Sequence, residues 1–283
     1  MKKRIALLLI GAMTIMTVFT GCARNKDASG SDTGETQTAE SDADTSEDNT
    51  SERTNLVVGF DAEFPPYGYE EDGEYVGFDL DLAQEVCNRN GWTLEKQAID
   101  WDSKDMELES GTIDCIWNGF TINGREAGYT WSEPYVDNSQ VIVVAEDSDI
   151  KTLDDLTGKE VVVQADSSAL KALEGDQADL AATFGNLTEV AEYNTAFMNL
   201  ESGAADAVAM DVGVADYQIE SRGGGFIILD EEIAAEQYGI GFKLGNEELR
   251  DQVQATLNEM AEDGTFAEIA EKWGLTDAVC LGK

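Results

Sequence analysis

Beyond residue 55 the chain alternates between short apolar runs and longer stretches whose apolar residues recur on one side. The strand-like runs are LVVGF (56–60), WTLEKQAI (92–99), TIDCIW (112–117), VIVVA (141–145), EVVVQ (160–164), ADAVAM (205–210) and GFIIL (225–229). A helix is expected to start at Asp79: Phe78, Leu82 and Val86 form a stripe at i, i+4 and i+8, and acids fill the first turn, where the helix dipole favours them. Further helices are expected at 167–174, 188–202, 212–222, 246–262 and 265–273. Such alternation predicts an α/β fold with mixed, mainly parallel sheets covered on both faces. In open sheets of this type ligands sit outside the carboxyl ends of the strands.

The residues that follow the strands therefore carry the functional signal. LVVGF runs into Asp61-Ala62-Glu63-Phe64-Pro65-Pro66-Tyr67, TIDCIW into NGFTINGR (118–125), EVVVQ into Ala165-Asp166-Ser167-Ser168, and ADAVAM into Asp211. Polar or aromatic groups stand at each end where apolar ones would bury at less cost. Arg125 reads in two ways, as an ordinary surface charge or as a planar fork held for a carboxylate. Taken together, the ends supply one arginine, hydroxyls at a helix N-terminus, an isolated aspartate and a pair of aromatics. An α-amino acid needs such a set: a guanidinium and backbone N–H groups for its carboxylate, and an anion for its ammonium.

Charge makes that arginine more conspicuous. The chain carries 58 Asp plus Glu against 18 Lys plus Arg, a formal net charge of −40. Such a surface repels nucleic acid and anionic lipid headgroups. There is no histidine, which removes imidazole acid/base chemistry and most zinc sites from consideration. No cofactor motif, phosphate loop or metal-ligand spacing is present, so neither a cofactor nor a metal is expected. Cys87, Cys115 and Cys280 read as buried free thiols, or as one disulfide and one free thiol.

The N-terminus places the protein outside the cytoplasm. Residues 1–21 have Lys2, Lys3 and Arg4, an apolar run from Ile5, and small residues at the end, the pattern of a secretory signal peptide too short for a stable span. Phe19-Thr20-Gly21-Cys22 resembles a bacterial lipobox, which would make Cys22 the lipidated first mature residue; simple secretion with a chance cysteine is the alternative. The rest of the segment 22–54 is Ser, Thr, Asp, Glu, Asn and Gly with almost no apolar residue, and is expected to be a disordered acidic tether of roughly 30 Å reach.

From Asn55 to about Leu275 the motifs fall in a recognisable order: DAEFPPYGYEEDGEYVGFDLDLAQE, SGTIDCIWNGFT with Arg125 and WSEPY, LDDLTGKEVVVQADSS, ADAVAMD, QYGIGF and DGTFAEIAEKW. In that order they resemble the extracellular solute-binding proteins of polar amino-acid ABC transporters, family 3. The resemblance implies a two-lobed periplasmic-binding-protein fold of type II whose lobes are joined by two crossing strands. Lobe 1 would comprise 55–134 and 239–283, lobe 2 would be 140–233, and the hinges would be 135–139 and 234–238.

It also implies a function and a site. The protein would be a substrate-binding lipoprotein that captures a polar amino acid, namely glutamine, cystine or a basic amino acid, between closing lobes. It would act as a monomer, without nucleic acid, and deliver the ligand to an ABC permease and its ATPase at a membrane it touches through its lipid anchor. By position, Arg125 would hold the ligand carboxylate with the Thr121 hydroxyl and N–H and with Ser168. Asp211 and the Gly119 carbonyl would hold the ammonium, Phe64 and Trp101 would sandwich the side chain, and Asp61 would stand at its far end. Trp117 or Asn118 would line the side-chain pocket.

Each of these residues also has a plain structural reading. Phe64 and Trp101 could be core, Asp61 a turn residue capping its own backbone, Asp211 the N-cap of the 212–222 helix, and Ser167 and Ser168 only N-caps. Asp79 and Asp81 read as first-turn helix charges and nothing more. Two other function classes share the fold: cleft enzymes such as cyclohexadienyl-type dehydratases, and amino-acid sensor partners. An enzyme would need a poised general acid or base in the cleft, and Asp61 and Asp211 already have binding roles, so no enzymatic activity is expected. A sensor would normally be fused to a membrane helix and signalling domain, and this chain stops at Lys283.

Overall fold

The computed structural model describes residues 53–283; the expected signal peptide, Cys22 and all but the end of the tether lie outside the described residues. β1 (Asn55–Phe60) leads into a small antiparallel sheet of β2 (Glu63–Phe64), β3 (Gly68–Glu71) and β4 (Glu74–Val76), then α1 (Phe78–Asn90) and β5 (Thr93–Ala98). A 3-10 turn at Trp101–Ser103 and α2 (Lys104–Ser110) precede β6 (Cys115–Thr121) and β7 (Thr130–Trp131). β8 (Val136–Ala145) opens a second series: β9 (Glu160–Gln164), α3 (Ser168–Glu174), α4 (Ala178–Ala181), β10 (Asn186–Val190), α5 (Tyr193–Ser202), β11 (Ala207–Asp211), α6 (Val212–Ser221) and β12 (Phe226–Ile228). β13 (Ala234–Phe242), α7 (Glu247–Asp263) and α8 (Thr265–Lys272) complete it.

A single ten-stranded sheet follows the path β10-β9-β11-β8-β13-β6-β1-β5, with β12 added to β8 and β7 to β13. Pairing is parallel within β5-β1-β6 and within β10-β9-β11. The two parallel sets meet through the antiparallel pair β8 and β13, whose register runs from Ala234↔Gln140 to Tyr238↔Val136. The segments expected as hinges therefore lie against one another on one ladder. The helices bury apolar stripes against this sheet. Leu82, Val86, Val253, Leu257 and Phe266 pack with β1 residues in one cluster, and Leu170 and Leu173 pack with Ile142, Val161, Val163 and Ala209 in another.

Local chemistry explains the element borders, and three expectations need correction. The first helix begins at Phe78 rather than Asp79 because the preceding Gly77 takes φ 146°, and a Cβ there would lie 2.2 Å from the Tyr67 carbonyl oxygen. The expected strand 112–117 begins later and runs further, as β6 at Cys115–Thr121, so Asn118 to Thr121 are strand residues. The expected helix 188–202 is shorter: residues 186–190 pair with β9 as a parallel edge strand, and only 193–202 are helical. Thr188 and Val190 suit a strand, and pairing with β9 outweighs the helical pattern downstream. Cys87, Cys115 and Cys280 are free, their thiols held above the usual range chiefly by burial, Cys87 at about 11.

Candidate functional site

Arg125 closes a tight turn after β6: its N–H donates to the Ile122 carbonyl at 2.9 Å. The turn folds the side chain back under the carboxyl ends of both parallel sets. Nη1 donates to Ser168 Oγ at 2.8 Å and to the Thr121 carbonyl at 3.4 Å, and Nη2 donates to the Asp166 carbonyl at 3.3 Å. The guanidinium also lies 5.2 Å from the centre of the Phe120 ring. Arg125 is only 7% exposed, and among the described residues it forms no ion pair. A buried cation satisfied by neutral oxygens alone is costly, and an anion within reach would repay that cost. Ser167 takes the capping task for α3, its Oγ accepting from the Leu170 N–H at 3.1 Å, which leaves the Ser168 hydroxyl for Arg125.

A second cation stands nearby that sequence reasoning missed. Lys104 is 1% exposed, pairs with Asp166, and lies 5.0 Å from the Trp101 ring centre. Burial lowers its pKa, and Arg125 adds repulsion against the pull of Asp166. Lys104, Arg125, Lys171 and Asp166 share the wall of a cavity of ≈ 470 Å³. Asp105, Glu109 and Glu126 line the same opening, so its three cations are offset by acids, and what joins Lys104 to the loop before α3 is its pair with Asp166.

Phe64 and Trp101 face one another, their rings 6.5 Å apart at 6°. Phe64 is buried while Trp101 is half-buried. Asp61 does cap its own loop, Oδ1 accepting the Glu63 N–H at 2.9 Å, while Oδ2 accepts from Gln164 Nε2 at 2.7 Å. Burial raises its pKa, against the hydrogen bonds that lower it. The Asp61 N–H donates to Asn118 Oδ1 at 3.0 Å, whereas Asn118 Nδ2 and Trp117 Nε1 are buried without a partner. Asp61, Glu63, Glu70, Asp72, Asp100 and Glu192 belong to the wall of a second cavity, of ≈ 970 Å³, which is strongly anionic.

Asp211 occupies the N-cap position of α6, yet its side chain makes no cap bond. Its Oδ1 instead accepts from the Tyr238 hydroxyl at 2.6 Å, Gln140 Nε2 at 2.6 Å and Asn138 Nδ2 at 3.0 Å, and Oδ2 from the Tyr193 hydroxyl at 3.2 Å. Burial raises its pKa and these four donors oppose the rise. The Thr121 hydroxyl is likewise engaged, donating to Glu236 Oε1 at 2.9 Å.

Asp79 is more than the first-turn charge expected of it. It is fully buried, and its Oδ2 accepts the Gly119 N–H at 2.6 Å and the Tyr135 hydroxyl at 2.8 Å. Asp79 thereby ties α1 to the strand that carries Asn118, Gly119 and Thr121, and burial pushes its carboxyl up to about 7. Asp81, by contrast, accepts from Lys272 Nζ and Trp273 Nε1 near the surface. Gly119 has φ +55°, and a Cβ there would lie 2.8 Å from Phe64 Cε1 and 3.0 Å from Tyr238 Cε2. Gly119→Ala is expected to destabilise the fold by at least about 1–2 kcal/mol from the left-handed backbone alone. A lowered urea midpoint and an altered Phe64 environment would show it; an unchanged midpoint would contradict it.

The family model of bacterial extracellular solute-binding proteins, family 3, matches residues 56–276. The chain belongs to that family. Among its relatives, the L-cystine-binding protein TcyJ of Escherichia coli (strain K12) is 28% identical over 229 residues, 78% of this chain and 83% of TcyJ. The arginine-binding extracellular protein ArtP of Bacillus subtilis (strain 168) is 28% identical over 277 residues, 96% of this chain and 98% of ArtP. A substrate binding protein of an ABC uptake transporter from Streptococcus pneumoniae, solved with bound histidine, superposes with a TM-score of 0.77 at 32% identity. It covers 80% of this chain and 94% of its own. Its fold is the type II arrangement expected for the family. No helix among the described residues is long and apolar enough to cross a membrane.

Proposed function

We propose that this protein captures a polar amino acid for an ABC importer, held between two lobes, 55–134 with 239–283 and 140–233, that close about hinges at 135–139 and 234–238. The observation that carries the reading is Arg125, a nearly buried guanidinium without an ion pair among the described residues, drawn against Ser168 from the far side of the cleft. The ligand carboxylate lies against Arg125 and Ser168, and the ammonium lies toward Asp211 and the Gly119 carbonyl. The side chain runs between Phe64 and Trp101 toward Asp61 and Asn118. Contacts that cross the cleft, Arg125 to Ser168, Asp61 to Gln164 and Lys104 to Asp166, support a closed arrangement of the two lobes. An N-terminal lipid on Cys22 holds the protein at the outer membrane face, where it meets a permease and its ATPase as a monomer. It acts by binding rather than by catalysis.

The distal end of the site favours a ligand whose tip donates hydrogen bonds. An ionised carboxylate at Asp61 only accepts, the facing rings suit a flat or cationic group, and the cavity beyond is lined by acids. Relatives named for cystine, arginine and bound histidine fit such a tip. Glutamine, cystine or a basic amino acid is expected to bind at least about tenfold tighter than glutamate, a difference of about 1.4 kcal/mol. Competition titration on wild type and Asp61→Ala tests this. The variant should flatten the preference while keeping general amino-acid binding; glutamate as the tightest wild-type ligand would refute the pocket.

A further inference from the structure

The ammonium side of the cleft holds a second carboxylate that the sequence pattern did not single out. Glu236, on β13, is 6% exposed and lies between Thr121 and Asp211. Its Oε1 accepts from the Thr121 hydroxyl at 2.9 Å, Asn138 Nδ2 at 2.7 Å and Gln140 Nε2 at 2.8 Å. The same two amide nitrogens donate to Asp211 Oδ1. Asn138 and Gln140 thus bridge two buried carboxylates, and among the described residues no Lys or Arg forms an ion pair with either acid.

The two acids differ in what they have left to offer. Asp211 has donors on both oxygens. Glu236 Oε2 has none among the described residues, yet it is not sealed in the core: Asn138 Oδ1 and Gln140 Oε1 are buried without partners, and Oε2 is not among such atoms. Once the Glu236 carboxyl is ionised all three of these free atoms are acceptors, so a cationic donor is the group they lack. Thr121 points the same way. Its hydroxyl proton is committed to Glu236, so Oγ1 has only lone pairs left to offer, which suit an ammonium and not a carboxylate.

We propose that Glu236 is a ligand-binding residue, its free Oε2 and the Thr121 hydroxyl oxygen receiving the ammonium group of the amino acid whose carboxylate lies on Arg125 and Ser168. The inference rests on the amino-acid reading above and reassigns the Thr121 hydroxyl from the carboxylate to the ammonium. Asp211 then acts behind Glu236, adding charge and holding Asn138 and Gln140 in place. The groups facing Glu236 are Asp211 on β11, Tyr193 on α5, Tyr238 on β13 and Tyr67 between β2 and β3, with the neutral Thr121, Asn138 and Gln140. Burial first, and the charge of Asp211 second, push Glu236 up to about 7, while the three tyrosines are held neutral well above their ordinary range. An arriving ammonium favours the ionised acid, so binding near neutral pH should expel a proton from the pair.

Calorimetry on the purified protein tests this with L-arginine, L-glutamine, L-histidine and L-cystine, and with the des-amino analogue of the tightest of them. Deleting the ligand ammonium should weaken wild type by about thirtyfold or more, the lower end for losing one partner of a desolvated pair. In Glu236→Gln that penalty should shrink to about threefold, because the group that reads the ammonium is already gone. A variant that loses amino acid and des-amino analogue in equal proportion would show a merely structural role and overturn the proposal. Wild type alone gives a second readout if the variant does not fold: in buffers of different ionisation enthalpy, most of one proton should leave on binding at about pH 6.5, and little at about pH 8.5. No proton release at either pH would also overturn it. Failure of wild type to bind any amino acid would instead remove the amino-acid reading itself, and this proposal with it.

Discussion

Arg125→Ala is expected to yield a folded protein that binds every amino acid roughly 30-fold to several-thousand-fold more weakly than wild type, a loss of about 2–5 kcal/mol. The fold should survive because Arg125 sits in a turn beyond β6, and its side chain meets the sheet only at the Phe120 ring and, by a long bond of 3.4 Å, at the Thr121 carbonyl, while the bond from Trp131 Nε1 goes to its backbone carbonyl, which alanine keeps. Its guanidinium spends its hydrogen bonds on a hydroxyl and two carbonyls, none of which depends on it for an ion pair. Removing the cation therefore takes away the one guanidinium among the described residues lining this opening, the group that can meet a ligand carboxylate bidentately; Lys104 is already paired with Asp166 and offers a point charge rather than a fork. Titration calorimetry beside circular dichroism checks both halves of the expectation. Wild-type affinity in a folded Arg125→Ala protein would mean that the carboxylate lies elsewhere.

The second large effect concerns stability and pH. Asp79 is fully buried and its carboxyl is held at about 7 against an ordinary value of 3.8, with burial the main cause. Because the folded state keeps this proton to a higher pH than the unfolded chain does, it binds more protons between those two values. Stability must then fall as pH rises through that window. The contribution is about 4 kcal/mol between full protonation and full ionisation, since each pH unit separating the folded and unfolded values is worth about 1.4 kcal/mol. Unliganded protein should be markedly more stable to urea at about pH 5 than at about pH 8. Asp79→Asn keeps an oxygen for the Gly119 N–H and the Tyr135 hydroxyl and should remove much of that slope, leaving the smaller part due to Glu236 and Asp211. A variant with the wild-type slope would show that Asp79 does not hold its proton in the fold.

Much of the fold was legible because strand patterns are local. EVVVQ is β9 residue for residue, and LVVGF and ADAVAM each fall within a residue or two of a strand. The edge strand β10 was not legible, since Asn186, Thr188 and Glu189 carry no apolar alternation, and its pairing to β9 is set from outside the segment. The small sheet of β2 to β4 was missed for the same reason, its strands being two to four residues long.

The sequence by itself determined the family, the α/β alternation and the set of strand-end residues, because each of those is a property of neighbours along the chain. It marked Arg125, Ser168, Asp211 and the aromatic pair as unusual for where they stand. Only the tertiary structure decided how these groups divide their hydrogen bonds. It committed the Thr121 proton to Glu236, filled both oxygens of Asp211, and joined Lys104 to Asp166 beside Arg125. Glu236 and Asp79 illustrate the reason. In a chain with 58 acidic residues an acid at a given position says nothing alone, and its meaning comes from burial and from partners that lie 40 to 115 residues away in sequence.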